Sequence, residues 1–170
     1  MLSLPFLTCS YNLGPGERVT YLKYTDALPL RSGGHTRPLL LVCVAVLPDQ
    51  IDYDRCTGRL YVLRLSVDGN GLVTALKRER KCDYNTPVTA CDVMTEGSRY
   101  IVLARMIDNI LSSGSRVIMI DLEKERDEEM PNQKVISSYV TSIHCIYNMV
   151  VVGDIMKGMT FLMWKVGGCV

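Results

Sequence analysis

Residues 140–163, VTSIHCIYNMVVVGDIMKGMTFLM, contain three short apolar runs divided by turn-forming residues. The first run opens with Val140-Thr141, the second is Met149–Gly153, and the third begins with the small residue Gly158. Short runs rich in β-branched residues and bounded by Gly, Asp and Asn are typical of β-strands. This stretch therefore predicts a small antiparallel sheet.

The same order of runs occurs twice more, upstream. Val19-Thr20 and Val88-Thr89 open the corresponding first runs, so the three openings lie about 69 and then about 52 residues apart. In these two units a fourth, more polar run follows, Leu72–Arg80 in one and Gln133–Tyr139 in the other. A repeat of this size with four strand-like runs per unit is the signature of a β-propeller blade.

The repeat predicts an all-β fold, a partial β-propeller of about three blades. Each blade is an antiparallel four-stranded sheet, and the last blade is incomplete. We expect residues 1–170 to form one propeller fragment, with blade one at about 17–82, blade two at about 86–139 and partial blade three at about 140–165. Because a blade buries its faces only against neighbouring blades, we expect the isolated fragment to self-associate.

Composition places the chain in the class of folded globular proteins. It has 170 residues, of which 48% are hydrophobic and 22% charged, and a net charge of +1, which does not favour a strongly basic nucleic-acid-binding domain. The longest apolar run, Leu39–Leu47, is far shorter than the roughly 20 residues that span a bilayer. The first residues lack the basic flank of a secretory signal. Seven cysteines without a C-x-x-C pair, and no Asn-x-Ser/Thr acceptor, favour a reducing compartment.

Four segments, in order along the chain, resemble the motifs of one family. Asn148–Leu162 resembles a G-D-x-M-K-S hairpin with its flanking apolar strands. Glu17–Lys23 is similar to an E-x-V-T-x-L-K strand, Cys56–Leu63 to a C-x-G-R-[IL]-x-[IV] strand, and Pro87–Ala90 to a G-P-V-T-A segment. The family is that of cleavage and polyadenylation specificity factor large subunits (CPSF-A), damaged-DNA-binding protein 1 and the third subunit of splicing factor 3b.

The resemblance implies the opening blades of the family's C-terminal propeller. It also implies a nuclear, non-catalytic scaffold in pre-mRNA 3′-end cleavage and polyadenylation, with protein subunits of the processing complex as partners and RNA as a further candidate ligand. In the hairpin, the resemblance assigns structural roles to Gly153, Asp154, Met156 and Lys157. Gly158 stands where the family usually has Ser.

Two other functions remain as alternatives at this point. One is an adaptor of the damaged-DNA-binding type, which presents substrates to a ubiquitin ligase. The other, more remote, is a propeller hydrolase. The Cys56–Arg59 segment and the Glu17–Lys23 strand favour the polyadenylation type.

Catalytic chemistry has little support in the sequence. The chain has two histidines, of which His144 alternates within a strand-like run and His35 lies in a Gly-rich loop, so we expect structural and solvent-exposed roles for them. No nucleophile elbow, P-loop or dinucleotide fingerprint occurs. Cys82 and Cys91 are nine positions apart with no second pair, unlike a zinc site. We therefore expect no catalytic residue, no cofactor and no metal, and not an enzyme.

Nucleic-acid contact is the sharpest prediction about a binding site. The basic residues Lys77, Arg78, Arg80 and Lys81 could neutralise phosphates, and Tyr84 could stack on a base. The alternative is a solvated outer strand whose charges protect an exposed edge. Regular strand alternation predicts that Arg78 and Arg80 point to one side and Lys77 and Lys81 to the other.

A second candidate surface is the methionine-rich C-terminal region. Methionine side chains are flexible and adapt to partners, so this region is either a partner-binding surface or part of the core. Its residues are Met149, Met156, Met159, Met163, Phe161 and Trp164.

Overall fold

A computed structural model describes residues 9–29, 36–48, 56–94, 100–107, 114–122 and 133–164 of the chain. Within these residues all regular structure is β, and no helix occurs. The strands are β1 (Glu17–Pro29), β2 (Thr36–Val46), β3 (Thr57–Val67), β4 (Val73–Tyr84), β5 (Val88–Val93), β6 (Tyr100–Met106), β7 (Ser115–Asp121), β8 (Lys134–Ile136), β9 (Val140–Ile146), β10 (Met149–Asp154) and β11 (Gly158–Met163).

The strands form three antiparallel sheets, each built from strands that are consecutive in the chain. The first sheet has the order β1-β2-β3-β4, the second β5-β6-β7-β8, and the third β9-β10-β11. The predicted all-β class and the partial propeller with an incomplete last blade are confirmed. The strands of the three sheets lie at 17–84, 88–136 and 140–163. The assignment of residues 1–170 to one domain with three blade boundaries stays a prediction.

Two apolar clusters hold the sheets face to face. The first lies between the first and second sheets and contains Leu39, Leu60 and Ile118 among its fully buried members. The other lies between the second and third sheets, where Met119 packs with Val150. The second sheet is therefore covered on both faces, and the residues of its middle strands β6 and β7 are almost all buried.

The middle strands show how packing decides a burial pattern. Strand β6 is apolar and buried on both faces, as predicted for a strand between neighbouring sheets. Strand β10 is just as apolar, but its burial alternates residue by residue. The alternation arises because, among the described residues, only one face of the third sheet packs against another sheet.

The third strands of the first two sheets, β3 and β7, each have a small residue near their start. The connection to the next sheet passes close to this residue. A Cβ atom on Gly58 would lie 2.3 Å from the carbonyl oxygen of Thr86 and 2.7 Å from the nitrogen of Val88, in the connection between the first two sheets. Ser115 is at the equivalent position of the second sheet, and its Oγ accepts a hydrogen bond from the Val140 amide at the start of the third (2.9 Å). Close passage of the next connection thus explains why these two strands begin with small residues.

Part of the outer face of the first sheet is covered by residues that precede β1. Tyr11 and Leu13 pack on the cluster formed there by Val42, Leu63 and their neighbours. The rings of Tyr11 and Tyr61 lie 5.9 Å apart, centre to centre. The cover is partial, because Val19 (47%), Leu22 (55%) and Tyr24 (56%) lie on the same face and are exposed.

Candidate interaction surfaces

The family-type hairpin closes β10 and β11 through the carboxylate of Asp154. Asp154 Oδ1 accepts hydrogen bonds from the backbone amides of Met156 (2.9 Å) and Lys157 (2.6 Å). These two amide donors, the Lys157 amide first, hold the pKa of Asp154 below its usual value. Gly153 and Asp154 are the last residues of β10, and the turn is formed by residues 155–157. Gly153 and Asp154 thus belong to the strand, and the turn begins at residue 155.

Two further contacts fix the hairpin to the chain that precedes β9. The Ile155 amide donates to the carbonyl oxygen of Tyr139 (3.1 Å), and Lys157 Nζ donates to Ser137 Oγ (2.5 Å). Gly158 follows with a φ of +94°, a backbone conformation that favours glycine. The hairpin thus orders the junction between the second and third sheets. Glycine at position 158, where the family usually has Ser, suits this backbone conformation.

The basic segment of β4 forms the outermost strand of the first sheet, as expected, but its side chains do not alternate regularly. Val62 of β3 pairs with Arg80, and the next residue, Leu63, pairs with Arg78, so Glu79 is an extra residue in a β-bulge. Directly paired residues share a face of the sheet. Arg78 and Arg80 consequently lie on opposite faces, and the prediction that both point to one side is wrong.

Arg80 and Tyr84 serve packing between sheets. One guanidinium nitrogen of Arg80 lies 3.1 Å from the carbonyl oxygen of Leu122 and 3.4 Å from that of Asp121, both in the second sheet's part of the chain. Tyr84 is only 9% exposed and belongs to the cluster between the first two sheets. Its ring is not available for stacking on a base, because the aromatic face already packs against the core.

The remaining basic residues of this segment are exposed. Lys77, Arg78 and Lys81 lie at the surface, and Lys81 Nζ is 3.1 Å from Asp83 Oδ2. Lys77 and Arg78 stand at the rim of a cavity of about 490 Å³ whose other walls include Val62. Nucleic-acid contact through these three side chains stays a prediction.

A polar junction that the sequence did not reveal joins all three sheets at their first strands. Asp92 of β5 is buried, and its Oδ2 accepts a hydrogen bond from the Cys145 amide of β9 (2.8 Å). Its Oδ1 accepts from the Val93 amide (2.8 Å) and lies 3.2 Å from Lys23 Nζ of β1. His144 Nδ1 lies 3.3 Å from Oδ2, while its side chain is 64% exposed. The predicted structural role of His144 thus takes the form of a surface contact with this carboxylate.

The thiols of Cys91 and Cys145, next to this junction, have raised pKa values. Burial, and then the nearby Asp92 carboxylate, raise the pKa of the Cys145 thiol to about 12. A hydrogen bond with Cys43, together with burial, raises the pKa of Cys91 well above its usual value. A thiol with a raised pKa is a poor nucleophile at neutral pH. These residues act as small apolar side chains of the core, as their sequence context predicts.

A second buried carboxylate, Glu17, lies at the start of β1. It accepts hydrogen bonds from the Gly14 amide (2.7 Å) and from the Tyr61 hydroxyl (2.6 Å), and it pairs with the Arg59 guanidinium. Arg59 also donates from Nε to Asp83 Oδ1 (2.7 Å). The E-x-V-T strand and the G-R strand, separate in sequence, therefore meet at one ion pair.

The electrostatics of this cluster follow from its geometry. Burial by itself raises the pKa of Glu17, but hydrogen bonds from Tyr61, Arg59 and the Gly14 amide outweigh it and leave the pKa below its usual value. Burial and the neighbouring Glu17 carboxylate raise the pKa of Tyr61 to about 12. Glu17 is thus held as a carboxylate and Tyr61 as a neutral donor, which is an arrangement for stability rather than for proton transfer.

The third sheet presents an apolar face with no neighbour among the described residues. Cross-strand pairing of β9, β10 and β11 arranges its nine residues in three rows. The rows are Met163, Met149 and Ile146; then Phe161, Val151 and His144; then Met159, Gly153 and Ser142. We call these nine residues the third-sheet outer face. Met159 is 70%, Phe161 61%, Met163 68% and Ile146 41% exposed.

The methionine-rich region therefore divides between surface and core. Met156 in the turn and the β11 methionines are exposed, whereas Trp164 is buried in the cluster between the second and third sheets. Alternation along β11 produces this division, since Leu162 points to the covered side and Phe161 to the bare side.

No three His, Cys, Asp or Glu side chains among the described residues come close enough together to hold a metal ion. The described segments also contain no helix with the length and apolar character needed to cross a membrane.

Comparison with known families adds to this geometry. The family described as the CPSF A subunit region matches residues 7–167, which is almost the entire chain. The chain belongs to the CPSF A subunit region family. No curated protein matches it. The four motifs that suggested this family lie within the matched residues, and so do both buried carboxylate clusters and the third-sheet outer face.

Membership of the CPSF A family supports a scaffold type of protein. The matched region contains the hairpin residues Gly153, Asp154, Met156 and Lys157, and hydrogen bonds of Asp154 and Lys157 close the turn and attach it to Ser137. Sequence reasoning found this hairpin because its residues are contiguous. It did not predict the hydrogen bonds and ion pairs of Asp92 and Glu17, because strands far away in the chain contribute their partners.

Proposed function

We propose that the chain is a non-catalytic scaffold of the CPSF-A type that acts in the nucleus, in pre-mRNA 3′-end cleavage and polyadenylation. Its partners are protein subunits of the processing complex. Family membership supports the scaffold type. The finer assignment to polyadenylation is favoured by the Glu17–Lys23 and Cys56–Leu63 strands, which resemble that member of the family.

One observation carries the proposal of a scaffold. The buried ionisable groups Glu17 and Asp92 have their oxygens occupied by backbone amides and by side chains of neighbouring strands. Asp92 therefore links the three sheets, and Glu17 ties β1 to β3 within the first sheet. A general acid or base would instead need a substrate-facing oxygen and a pKa near neutrality, and the pKa of Glu17 is shifted the opposite way.

Partner identification tests the proposal against its alternative. A tagged chain expressed in human or yeast nuclei is purified, and co-purifying proteins are quantified by mass spectrometry. The proposal expects enrichment of 3′-end processing subunits over ubiquitin-ligase subunits. Enrichment of ubiquitin-ligase subunits instead would replace it with the damaged-DNA-binding type of adaptor. A control that carries the tag alone identifies background binding.

RNA contact is a separate part of the proposal and rests on the exposed cations of β4. Lys77→Gln is compared with Lys134→Gln, an exposed lysine on β8, the outermost strand of the second sheet. If Lys77 contacts a single-stranded phosphate, its loss reduces the slope of log affinity against log salt by about 0.7, while the control leaves it unchanged. Binding of AAUAAA-containing RNA, poly(U) and duplex DNA is measured. No binding at low salt leaves a role in protein contacts alone.

A further inference from the structure

The connection between β3 and β4 contains an asparagine followed by a glycine. Asp68, Gly69, Asn70 and Gly71 occupy this connection, and all four are exposed. Of the six asparagines in the chain, only Asn70 precedes a glycine. Because glycine has no Cβ atom, the backbone nitrogen next to the Asn70 side chain is not shielded by a side chain of its own.

Hydrogen bonds in this turn hold the Asp68 side chain but not that of Asn70. Asp68 Oδ1 accepts hydrogen bonds from the backbone amides of Asn70 and Leu72, both at 2.9 Å. The Asn70 side chain itself makes no hydrogen bond or ion pair with any other described residue. A Cβ atom built on Gly71 would have no atom within 4 Å. The Asn70 carboxamide therefore has room to approach the Gly71 nitrogen.

One hydrogen bond opposes this approach. The Gly71 amide donates to the carbonyl oxygen of Asp68 (3.1 Å), which holds the nitrogen in the turn. The β3–β4 ladder ends outside this bond, at the pair Val67 and Val73, so the bond can open without breaking a strand pair. Single hydrogen bonds in exposed turns open at little cost in free energy. The bond thus slows the approach and does not prevent it.

Two other described asparagines are better protected. Asn85 is also exposed, but its Oδ1 accepts a hydrogen bond from Arg105 (2.5 Å), and the next residue is the buried, β-branched Thr86. Asn148 is half-buried, and its carbonyl oxygen accepts a hydrogen bond from the Trp164 amide (2.8 Å). A following residue with a bulky side chain also shields its own nitrogen.

We propose that Asn70 is a site of spontaneous deamidation, with the Gly71 nitrogen as the nucleophile. This nitrogen attacks Asn70 Cγ and forms a five-membered succinimide ring. The side-chain nitrogen takes up the amide proton of Gly71 and leaves as ammonia. A water molecule then adds to one of the two ring carbonyl carbons and opens the ring. The products are aspartate and isoaspartate, and in isoaspartate the backbone runs through the side-chain methylene group.

The modification changes the charge of the chain and the geometry of the turn. A new carboxylate takes the formal net charge at pH 7 from +1 to zero. A net charge near zero promotes association between copies, which the repeat pattern already predicts. Isoaspartate also lengthens the backbone between Asn70 and Gly71, so the hydrogen bond from Gly71 to Asp68 loses its present geometry. This inference goes beyond the proposed scaffold function and does not depend on it.

Incubation of the full chain at pH 8.5 and 37 °C, followed by peptide mass spectrometry, tests the inference. We expect conversion of the Asn70 carboxamide to a carboxylate, in two products that separate by chromatography. Asn70 should convert at least about tenfold faster than Asn85 and Asn148, whose following residues carry bulky side chains. Gly71→Ala should slow the conversion several-fold. Gly69→Ala, a matched substitution with no atom within 4 Å, should leave the rate unchanged.

A synthetic peptide of residues 66–74 gives the rate without the fold, and it keeps the test valid if Gly71→Ala disturbs the turn, where φ is +81°. The folded chain should convert at a rate close to that of the peptide. Three results would overturn the inference. One is a rate in the folded chain far below that of the peptide, which would show that the turn holds Asn70. Another is conversion of Asn85 or Asn148 as fast as that of Asn70. The third is equal rates in Gly71→Ala and Gly69→Ala, which would exclude the Gly71 nitrogen as the nucleophile.

Discussion

The backbone amide of Cys145 donates a hydrogen bond to Asp92 Oδ2 at 2.8 Å, across the boundary between the second and third sheets. The other oxygen of the same carboxylate lies 3.2 Å from Lys23 Nζ of the first sheet. A single buried side chain thus links the first strands of all three sheets. Burial of the apolar clusters stabilises the packing of the sheets, and this carboxylate fixes the position of each sheet relative to its neighbour.

Asp92→Ala should be strongly destabilising, because it leaves the Cys145 and Val93 amides buried without their acceptor. We expect the free energy of unfolding in urea to fall by about 3 kcal/mol. Asp92→Asn should recover part of the loss, since an amide oxygen can still accept a hydrogen bond. Asp26→Ala, an exposed aspartate on the same first-sheet strand as Lys23, serves as the control. A loss no larger than that of the control would contradict the linking role.

Gly58→Ala should disrupt the connection between the first and second sheets. Its Cβ would lie within 3 Å of backbone atoms of Thr86, Pro87 and Val88, which cannot rotate out of the way as a side chain can. We expect a loss of about 3 kcal/mol, at the upper end of the range for overpacking. Gly69→Ala, in the β3–β4 turn with no atom within 4 Å of the added methyl group, should cost far less. Thermal unfolding of both variants decides the matter, and equal melting temperatures would refute the steric argument.

Glu17 makes part of the stability depend on pH. Because its pKa is lower in the fold than its usual 4.5, the folded state binds protons less readily than the unfolded chain at that site. The stabilisation is therefore complete above about pH 4.5 and is lost as the pH falls through the lowered folded pKa. Glu17→Gln should lower stability at pH 7 by about 2 kcal/mol and flatten the acid dependence.

Urea titrations at several pH values between 7 and 2.5 measure this effect, with Asp26→Asn as the control. Some acid dependence should remain in Glu17→Gln, because the pKa values of Asp83 and Asp154 are also lowered. A variant whose stability falls with pH as steeply as that of the unsubstituted chain would show that Glu17 does not contribute.

The hairpin depends on the carboxylate of Asp154 as an acceptor. Asp154→Ala should speed amide hydrogen exchange at Met156, Lys157 and the facing ends of β10 and β11, because two amides lose their acceptor. Asp154→Asn should preserve most protection, since the asparagine side chain forms the same type of turn. Deletion of Gly153 and Asp154 together should unfold the third sheet, by removing the strand end that sets its register. Unchanged exchange in Asp154→Ala would place the source of hairpin stability elsewhere.

The cysteines should divide by accessibility. Cys43, Cys82, Cys91 and Cys145 are buried, while Cys9 and Cys56 are partly exposed. Among the cysteines that the structure describes, alkylation with iodoacetamide at pH 7.5, followed by peptide mass spectrometry, should modify Cys9 and Cys56 first. Burial raises the pKa of Cys145 to about 12, so its thiolate is scarce as well as shielded. Early modification of Cys145 would indicate that the third sheet opens readily.

The sequence by itself determined the strands, their grouping and the family. Val-Thr openings, apolar runs and the Gly153–Lys157 hairpin are local patterns, and strand pairing between consecutive segments follows from short turns. For the same reason the strand positions and the all-β class could be predicted from the residues alone.

Tertiary structure alone decided which side chains meet. The bulge at Glu79 separates Arg78 from Arg80, and packing between sheets buries Tyr84, so two features of the predicted nucleic-acid site changed. Asp92 owes its role to a β9 amide 53 residues away, and no local pattern encodes such a contact. Likewise, β6 and β10 are equally apolar in sequence. Strand β6 is buried on both faces and β10 on one face, because among the described residues only the sheet of β6 has a neighbouring sheet on each side.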